Sequence, residues 1–252
     1  MKTTYLFANW KMYLNRTESK TLALEFKKIA ATMSPSVSMG VFPSALSFAE
    51  VQYMLGDAPV VLGAQNVYWV EKGGYTGEVS AQMYKEAGAM YALVGHSERR
   101  HLAGETNHMV RQKMEAALEA ALIPVLCVGE TQAEHDAGQA LEVVEVQLRS
   151  ALENLAVVAN QPVLIVYEPV WAIGTGVSCD PTEVAQMHER VTAFAAALVP
   201  QAQIAVLYGG SVRPENVLAF LTQPLVAGVL VGAASVKLDS WLAITEAVSK
   251  QS

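Results

Sequence analysis

Val163-Leu164-Ile165-Val166-Tyr167-Glu168-Pro169-Val170-Trp171-Ala172-Ile173-Gly174-Thr175-Gly176-Val177-Ser178-Cys179-Asp180-Pro181-Thr182-Glu183 contains the pattern that repeats through the whole chain. Residues 163–167 are apolar without a break and rich in β-branched side chains, as in a strand buried on both faces. Asp180-Pro181-Thr182-Glu183 then opens a helix, with Asp as N-cap, Pro at the first helical position and Glu at the third. A doubly buried strand followed by a helix is half of a parallel crossover unit. Working outward, the same short apolar runs recur at 5–8, 37–42, 60–64, 91–94, 124–128, 204–208 and 228–231, eight in all. Helical signals follow them: 18–33 after the first run, 106–121 after the fourth, 133–155 after the fifth, and a helix opening at Pro214 after the seventh. Eight such units with no break in composition predict an α/β protein, a closed (β/α)8 barrel of eight parallel strands with outer helices. They form a single domain over 1–252. An open doubly wound sheet is the competing arrangement.

The bulk properties narrow the function. The 252 residues are 52% apolar and 16% charged, a folding composition, with a formal net charge of -7. A diffuse acidic surface argues against nucleic acid or an anionic membrane as partner. An anionic substrate therefore needs local positive charge and backbone N–H donors. Cys127 and Cys179 are too few for a disulfide framework and read as free thiols in a reducing compartment. Neither C-x-x-C nor H-E-x-x-H spacing occurs, so no metal is expected. Neither a G-x-x-x-x-G-K-[ST] loop nor a G-x-S-x-G elbow is present. Gly174-Thr175-Gly176 is no dinucleotide fingerprint, because Cys179 stands where the third glycine would be. No cofactor is expected. The start, Met1 to Asn9, lacks an apolar core of signal-peptide length, and no apolar run approaches membrane length. The expected location is cytoplasmic.

In a parallel barrel all strands end on one rim, so residues just after each strand converge however distant in sequence. The first run ends in Asn9-Trp10-Lys11, a fixed positive charge and donor at the rim, although taken alone it reads first as a surface lysine. The fourth ends in Gly95-His96-Ser97-Glu98-Arg99-Arg100, where the histidine fits an acid, a base or a structural donor. The remaining histidines (His101, His108, His135 and His188) fall in loops or on helices and read as surface residues. The sixth ends in Tyr167-Glu168-Pro169, a carboxylate that partial dehydration makes a stronger base. The apolar segment 170–176, with Pro169 at one end and glycines near the other, has the composition of a water-excluding lid. After the seventh and eighth runs, Gly209-Gly210-Ser211 and Gly232-Ala233-Ala234-Ser235 let backbone N–H groups approach an anion, at the usual phosphate site of such barrels. A lysine, a histidine, a glutamate, a lid and a phosphate cradle together suit proton abstraction beside a carbonyl.

These segments resemble the triosephosphate isomerase family, the best-known members of the TIM-barrel fold. The matching stretches are Asn9-Trp10-Lys11-Met12, Gly63-Ala64-Gln65-Asn66, Gly77-Glu78, 95–100, Cys127-Val128-Gly129-Glu130, 167–176 and Tyr208-Gly209-Gly210-Ser211-Val212, spread along the whole chain. The resemblance implies an intramolecular aldose–ketose isomerase interconverting dihydroxyacetone phosphate and glyceraldehyde 3-phosphate. In it Glu168 is the base and His96 a neutral electrophile, a pairing for which this family is itself the standard worked example. It implies that Lys11 supplies positive charge, that Asn9 supports it, and that Glu98 and Ser97 stand behind the reacting groups. Gly174, Ser211, Gly232 and Ala233 would offer N–H groups to the phosphate, with Gly210 beside them. The segment 65–79 is long for a connection of its kind. The resemblance implies that it docks into a second copy in a homodimer, placing Thr76 near the partner subunit's Asn9 and Lys11.

Three positions depart from the family pattern: Ala233 for a second glycine, Val177-Ser178-Cys179 at the far end of the lid, and Tyr13 for asparagine. A β-carbon at 233 would oppose a left-handed backbone there. The departures leave room for a four-carbon ketose or aldose phosphate as substrate. A catalytically silent metabolite-binding barrel is the rival from another class.

Overall fold

The computed structural model describes residues 3–174, 176 and 178–250. The strands are β1 (Thr4–Asn9), β2 (Val37–Phe42), β3 (Val60–Ala64), β4 (Tyr91–Val94), β5 (Ile123–Val128), β6 (Pro162–Tyr167), β7 (Gln203–Tyr208) and β8 (Val226–Val231). They pair in sequence order, all parallel, and β8 closes back on β1 through Tyr5 opposite Gly228 and Ala8 opposite Val231. The barrel is closed and the open-sheet alternative is excluded. The helices are α1 (Arg16–Ala30), α2 (Phe48–Leu55), α3 (Ala81–Glu86), α4 (Ser97–Leu102), α5 (Asn107–Glu119), α6 (Gln132–Asp136), α7 (Ala140–Leu152), α8 (Pro181–Leu198), α9 (Val217–Leu221) and α10 (Leu238–Ser249). Among the described residues no helix is long and apolar enough to cross a membrane.

Strand alternation sorts the core into two layers. Phe7, Phe42, Leu93, Cys127, Leu164, Val166, Leu207 and Leu230 fill the interior. Leu6, Ala8, Val94, Leu126 and Ile165 face out against the helices. Asn9 continues the inward set of Phe7, and Glu168 continues that of Leu164 and Val166, so both point into the mouth at the strand ends.

Local signals explain most helix boundaries. Asp180 caps α8 by accepting from Thr182 N at 2.7 Å with Pro181 at its start, as expected. The expected helix over 133–155 is two helices, because Gly138 sits at φ 72 and ends the first of them. Pro214 does not open a helix. Asn216 closes a turn there by accepting from Arg213 N at 2.7 Å and donating to the Ser211 carbonyl at 3.0 Å, and the helix begins at Val217.

His188 is a further correction. It is fully buried on the α8 stripe of Val184, Val191 and Ala195, and its Nδ1 lies 3.4 Å from the Leu225 carbonyl. Burial pushes its imidazole down to about 4. The unfolded chain, with an ordinary histidine near 6.5, binds that proton first, so this contribution to stability is complete above pH 6.5 and is lost as pH falls toward 4. The expected loss is about 3 kcal/mol. Urea unfolding of wild type and His188→Gln between pH 7 and 4.5 checks this: the stability gap between them should narrow with acid, and a constant gap would contradict it.

Candidate active site

Glu168 leaves β6 between two glycines that only hydrogen allows to stay close. A β-carbon on Gly129 would lie 1.7 Å from the Glu168 carbonyl oxygen, and one on Gly209 would lie 2.9 Å from Glu168 Cγ. The backbone is held further by Glu168 N donating to the Val128 carbonyl at 2.8 Å. The carboxylate is 2% exposed. Its Oε2 accepts from Ser97 N at 2.9 Å and its Oε1 lies 3.2 Å from His96 Nε2.

His96 follows Gly95, whose φ of 71 turns the chain over the mouth, and it caps α4. Its Nδ1 accepts from Glu98 N at 3.2 Å. That leaves Nε2 to carry the ring proton, so the imidazole offers a donor to the cavity. The Nδ1–Glu98 Oε2 separation of 3.9 Å is too long to compete with this backbone contact.

Lys11 holds a left-handed backbone, φ 49, unusual for a side-chain-bearing residue. Three contacts fix it. Its N donates to Asn9 Oδ1 at 3.1 Å, its carbonyl accepts from Gln65 Nε2 at 2.8 Å, and its Nζ reaches Glu98 Oε1 at 2.5 Å. Arg100 ties the neighbouring strand ends together through the Gly95 carbonyl at 2.7 Å and the Cys127 carbonyl at 3.1 Å. Burial, and then the Glu168 carboxylate, hold the Cys127 thiol well above its usual range, so it stays protonated beside the base.

One cavity of about 370 Å³ joins these groups. Asn9, Lys11, His96 and Glu168 line one part, and Gly174, Gly210, Ser211, Gly232 and Ala233 the other. Ser97 and Glu98 stand behind them, through Glu168 and Lys11. Ala233 begins a short 3₁₀ turn, Ala233–Val236, and is not among the residues with positive φ. The anticipated conflict with its β-carbon does not arise. The turn is closed by Ser235, whose N and Oγ both donate to the Gly232 carbonyl, at 2.9 and 2.7 Å. Thr76 lies exposed on the 65–79 segment, away from the cavity. Of the lid, Thr175 and Val177 fall outside the described residues; Cys179 N reaches the Tyr208 hydroxyl at 3.4 Å.

Sequence reasoning missed several residues here. Arg213, Lys237 and Ser240 also line the cavity, and the two basic ones follow the small-residue turns after β7 and β8. Glu130 is fully buried and accepts from the Tyr167 hydroxyl at 3.1 Å and from Trp171 Nε1 at 2.8 Å. Its place directly after β5 was the available signal.

Fold and site together define a closed α/β barrel with a carboxylate, an imidazole and an ammonium gathered in one cavity at the strand ends. The triosephosphate isomerase family model matches residues 4–248. The triosephosphate isomerase of Symbiobacterium thermophilum is 42% identical over 99% of this chain and 98% of its own length. Those of Herpetosiphon aurantiacus (41%, over 97% and 98%) and Roseiflexus castenholzii (39%, over the full length of both) are similarly close. The chain belongs to the triosephosphate isomerase family.

Proposed function

We propose that this chain interconverts dihydroxyacetone phosphate and glyceraldehyde 3-phosphate through an enediolate, in the cytoplasm. The observation carrying the reading is the 3.2 Å approach of Glu168 Oε1 to His96 Nε2 inside the cavity that the two small-residue turns also line. The phosphate sits against Ser211, Gly232 and Ala233, with Gly174 reaching it from the lid and Gly210 leaving it room. Substrate displaces the Glu168 carboxylate from its contact with His96 Nε2 and then lies between the two side chains. The carbonyl oxygen takes the His96 Nε2–H and the charge of Lys11, which Asn9 holds in place. The adjacent C–H is acidified, Glu168 removes its proton, and the electron pair moves onto oxygen. The same carboxyl returns the proton to the neighbouring carbon. The lid excludes water while the enediolate lasts.

A coupled assay with glyceraldehyde 3-phosphate beside a four-carbon ketose phosphate tests the substrate. Turnover of the triose at least about tenfold more efficient is expected, since one carbon in a closed pocket is worth roughly that much. Preference for the four-carbon compound, or turnover of neither, would contradict the reading.

The working unit is a homodimer. Supporting this, Met12, Leu46 and Leu102 are 94%, 84% and 84% exposed, on the connections after β1, β2 and β4. The 65–79 segment, with Tyr75 exposed, lies on the connection between them after β3, so adjacent loops present apolar side chains together. Sedimentation at micromolar concentration should give twice the 27.1 kDa chain mass; a fully active monomer would contradict it.

A further inference from the structure

The lid's near end is gripped from one side by a residue that the proton-transfer chemistry leaves unused. Trp171, in the 3₁₀ turn Val170–Ala172, donates its indole N–H to Glu130 Oε1 at 2.8 Å, and Val170 N donates to the Glu130 carbonyl at 3.0 Å. Glu130 Oε2 is buried with no hydrogen-bond partner among the described residues. The groups satisfying this carboxylate are neutral, although a fully buried carboxylate is costly without a cation. The nearest group able to become one is His135. Its Nδ1 stands 3.7 Å from Glu130 Oε1, and its ring packs on Trp171 with centroids 4.7 Å apart and planes tilted by 37°. The side chain is 39% exposed, so protons reach it from solvent. Its position is rigid: α6 begins directly after Glu130, and a reciprocal capping box of Thr131 and Glu134 fixes its start.

We propose that His135 is a positioning residue for the lid, a proton-sensitive clasp on its near hinge. Imidazole is the side chain whose charge ordinarily changes between pH 5 and 8. Once protonated, it places a cation against both the Glu130 carboxylate and the face of Trp171. Both contacts hold the Val170–Ala172 turn as it stands. In this proposal the lid closes by turning at this hinge and must break both contacts to do so, so the proton on His135 opposes closure and its loss eases it. Other titratable groups face the same cluster. Burial holds the Tyr167 hydroxyl, on β6, far above its usual range and pushes the Cys179 thiol, at the far end of the lid, up to about 12. On His135's own helix, Glu134 bonds Thr131 and Asp136 bonds Gln132.

The proposal rests on reading 170–176 as a lid over this site. The test uses phosphoglycolate, which joins a phosphate to a carboxylate in place of the enediolate. Its dissociation constant is measured from pH 8 to 5.5 in wild type, His135→Gln and His135→Lys. The ligand's own ionisation is common to all three and cancels in the ratios. Wild type relative to His135→Gln should weaken by about two- to fivefold toward pH 5.5, the span of a part-exposed charge pair. His135→Lys should bind weakly throughout, by the same factor. Ratios that stay constant with pH, or that move the other way, would overturn the role of His135. Absence of phosphoglycolate binding in wild type at any pH would overturn the site assignment, and this proposal with it.

Discussion

Glu168→Asp is expected to lower kcat by about two to four orders of magnitude, the usual worth of a positioned general base, with KM and thermal stability nearly unchanged. The change withdraws the carboxylate by about one C–C bond, roughly 1.5 Å. A loop residue could slide forward to compensate, but Glu168 cannot. Its backbone is pinned to Val128 at 2.8 Å and packed onto Gly129, where not even a β-carbon would fit. The shortfall therefore falls on the reacting carbon, where small misplacements cost large factors. The phosphate cradle lies on other elements, after β7 and β8, so substrate binding persists. Steady-state kinetics with a thermal melt decide the matter, and near-normal turnover would remove Glu168 as the base.

The second large effect is on stability. Glu105 and Lys113 are 1% and 2% exposed and bonded to each other. Glu105 also takes Arg99 Nε at 2.6 Å, and Lys113 Nζ reaches Asn66 Oδ1 at 2.6 Å. Burial lowers the Lys113 pKa and the Glu105 contact opposes that shift, so the carboxylate keeps the ammonium charged inside. Glu105→Ala removes it and strands a buried cation. The expected cost is about 3–5 kcal/mol, or roughly 10 °C in Tm for a chain of this size. Because this cluster ties α4 and α5 to the 65–79 segment, the proposed homodimer should loosen along with it. The double variant Glu105→Leu/Lys113→Met leaves no buried lone charge, only the part-exposed Arg99 without this partner, and should recover much of the stability. A single variant melting within 2–3 °C of wild type would show that the charge is relieved by water instead.

How much of this was legible in the sequence depended on the kind of signal. The eight strands were readable because a strand buried on both faces must be apolar throughout, and the eight runs match the observed strands to within two residues. Asp180-Pro181 was readable because capping is local. The failures needed information beyond the immediate neighbours. Gly138 divides a helical pattern through a backbone conformation that periodicity does not register. Pro214 looked like a helix start, but Asn216 holds the chain in a turn. His188 was taken for a surface residue on its type, although its spacing from Val184 and Val191 places it on the buried stripe.

The site divides the same way. Lys11, His96 and Glu168 could be picked out because strand ends in a parallel barrel converge by construction, while Asn9 and the roles of all four came from the family resemblance. The supports that hold them could not. The Gln65 contact that helps keep Lys11 left-handed, and the buried Glu130 beneath the lid, depend on side chains meeting across the rim. Ala233 shows the reverse case. A departure that looked costly is harmless, because the turn it begins does not use the glycine-only backbone.

The most direct measurement is a crystal structure of the protein with phosphoglycolate bound. The phosphate should rest on the N–H groups of Ser211, Gly232 and Ala233, the ligand carboxylate should meet His96 Nε2 and Lys11 Nζ, and Glu168 should face the ligand's carbon. A phosphate bound elsewhere, or a ligand touching neither Glu168 nor His96, would contradict the assignment of this cavity as the place where the proton moves.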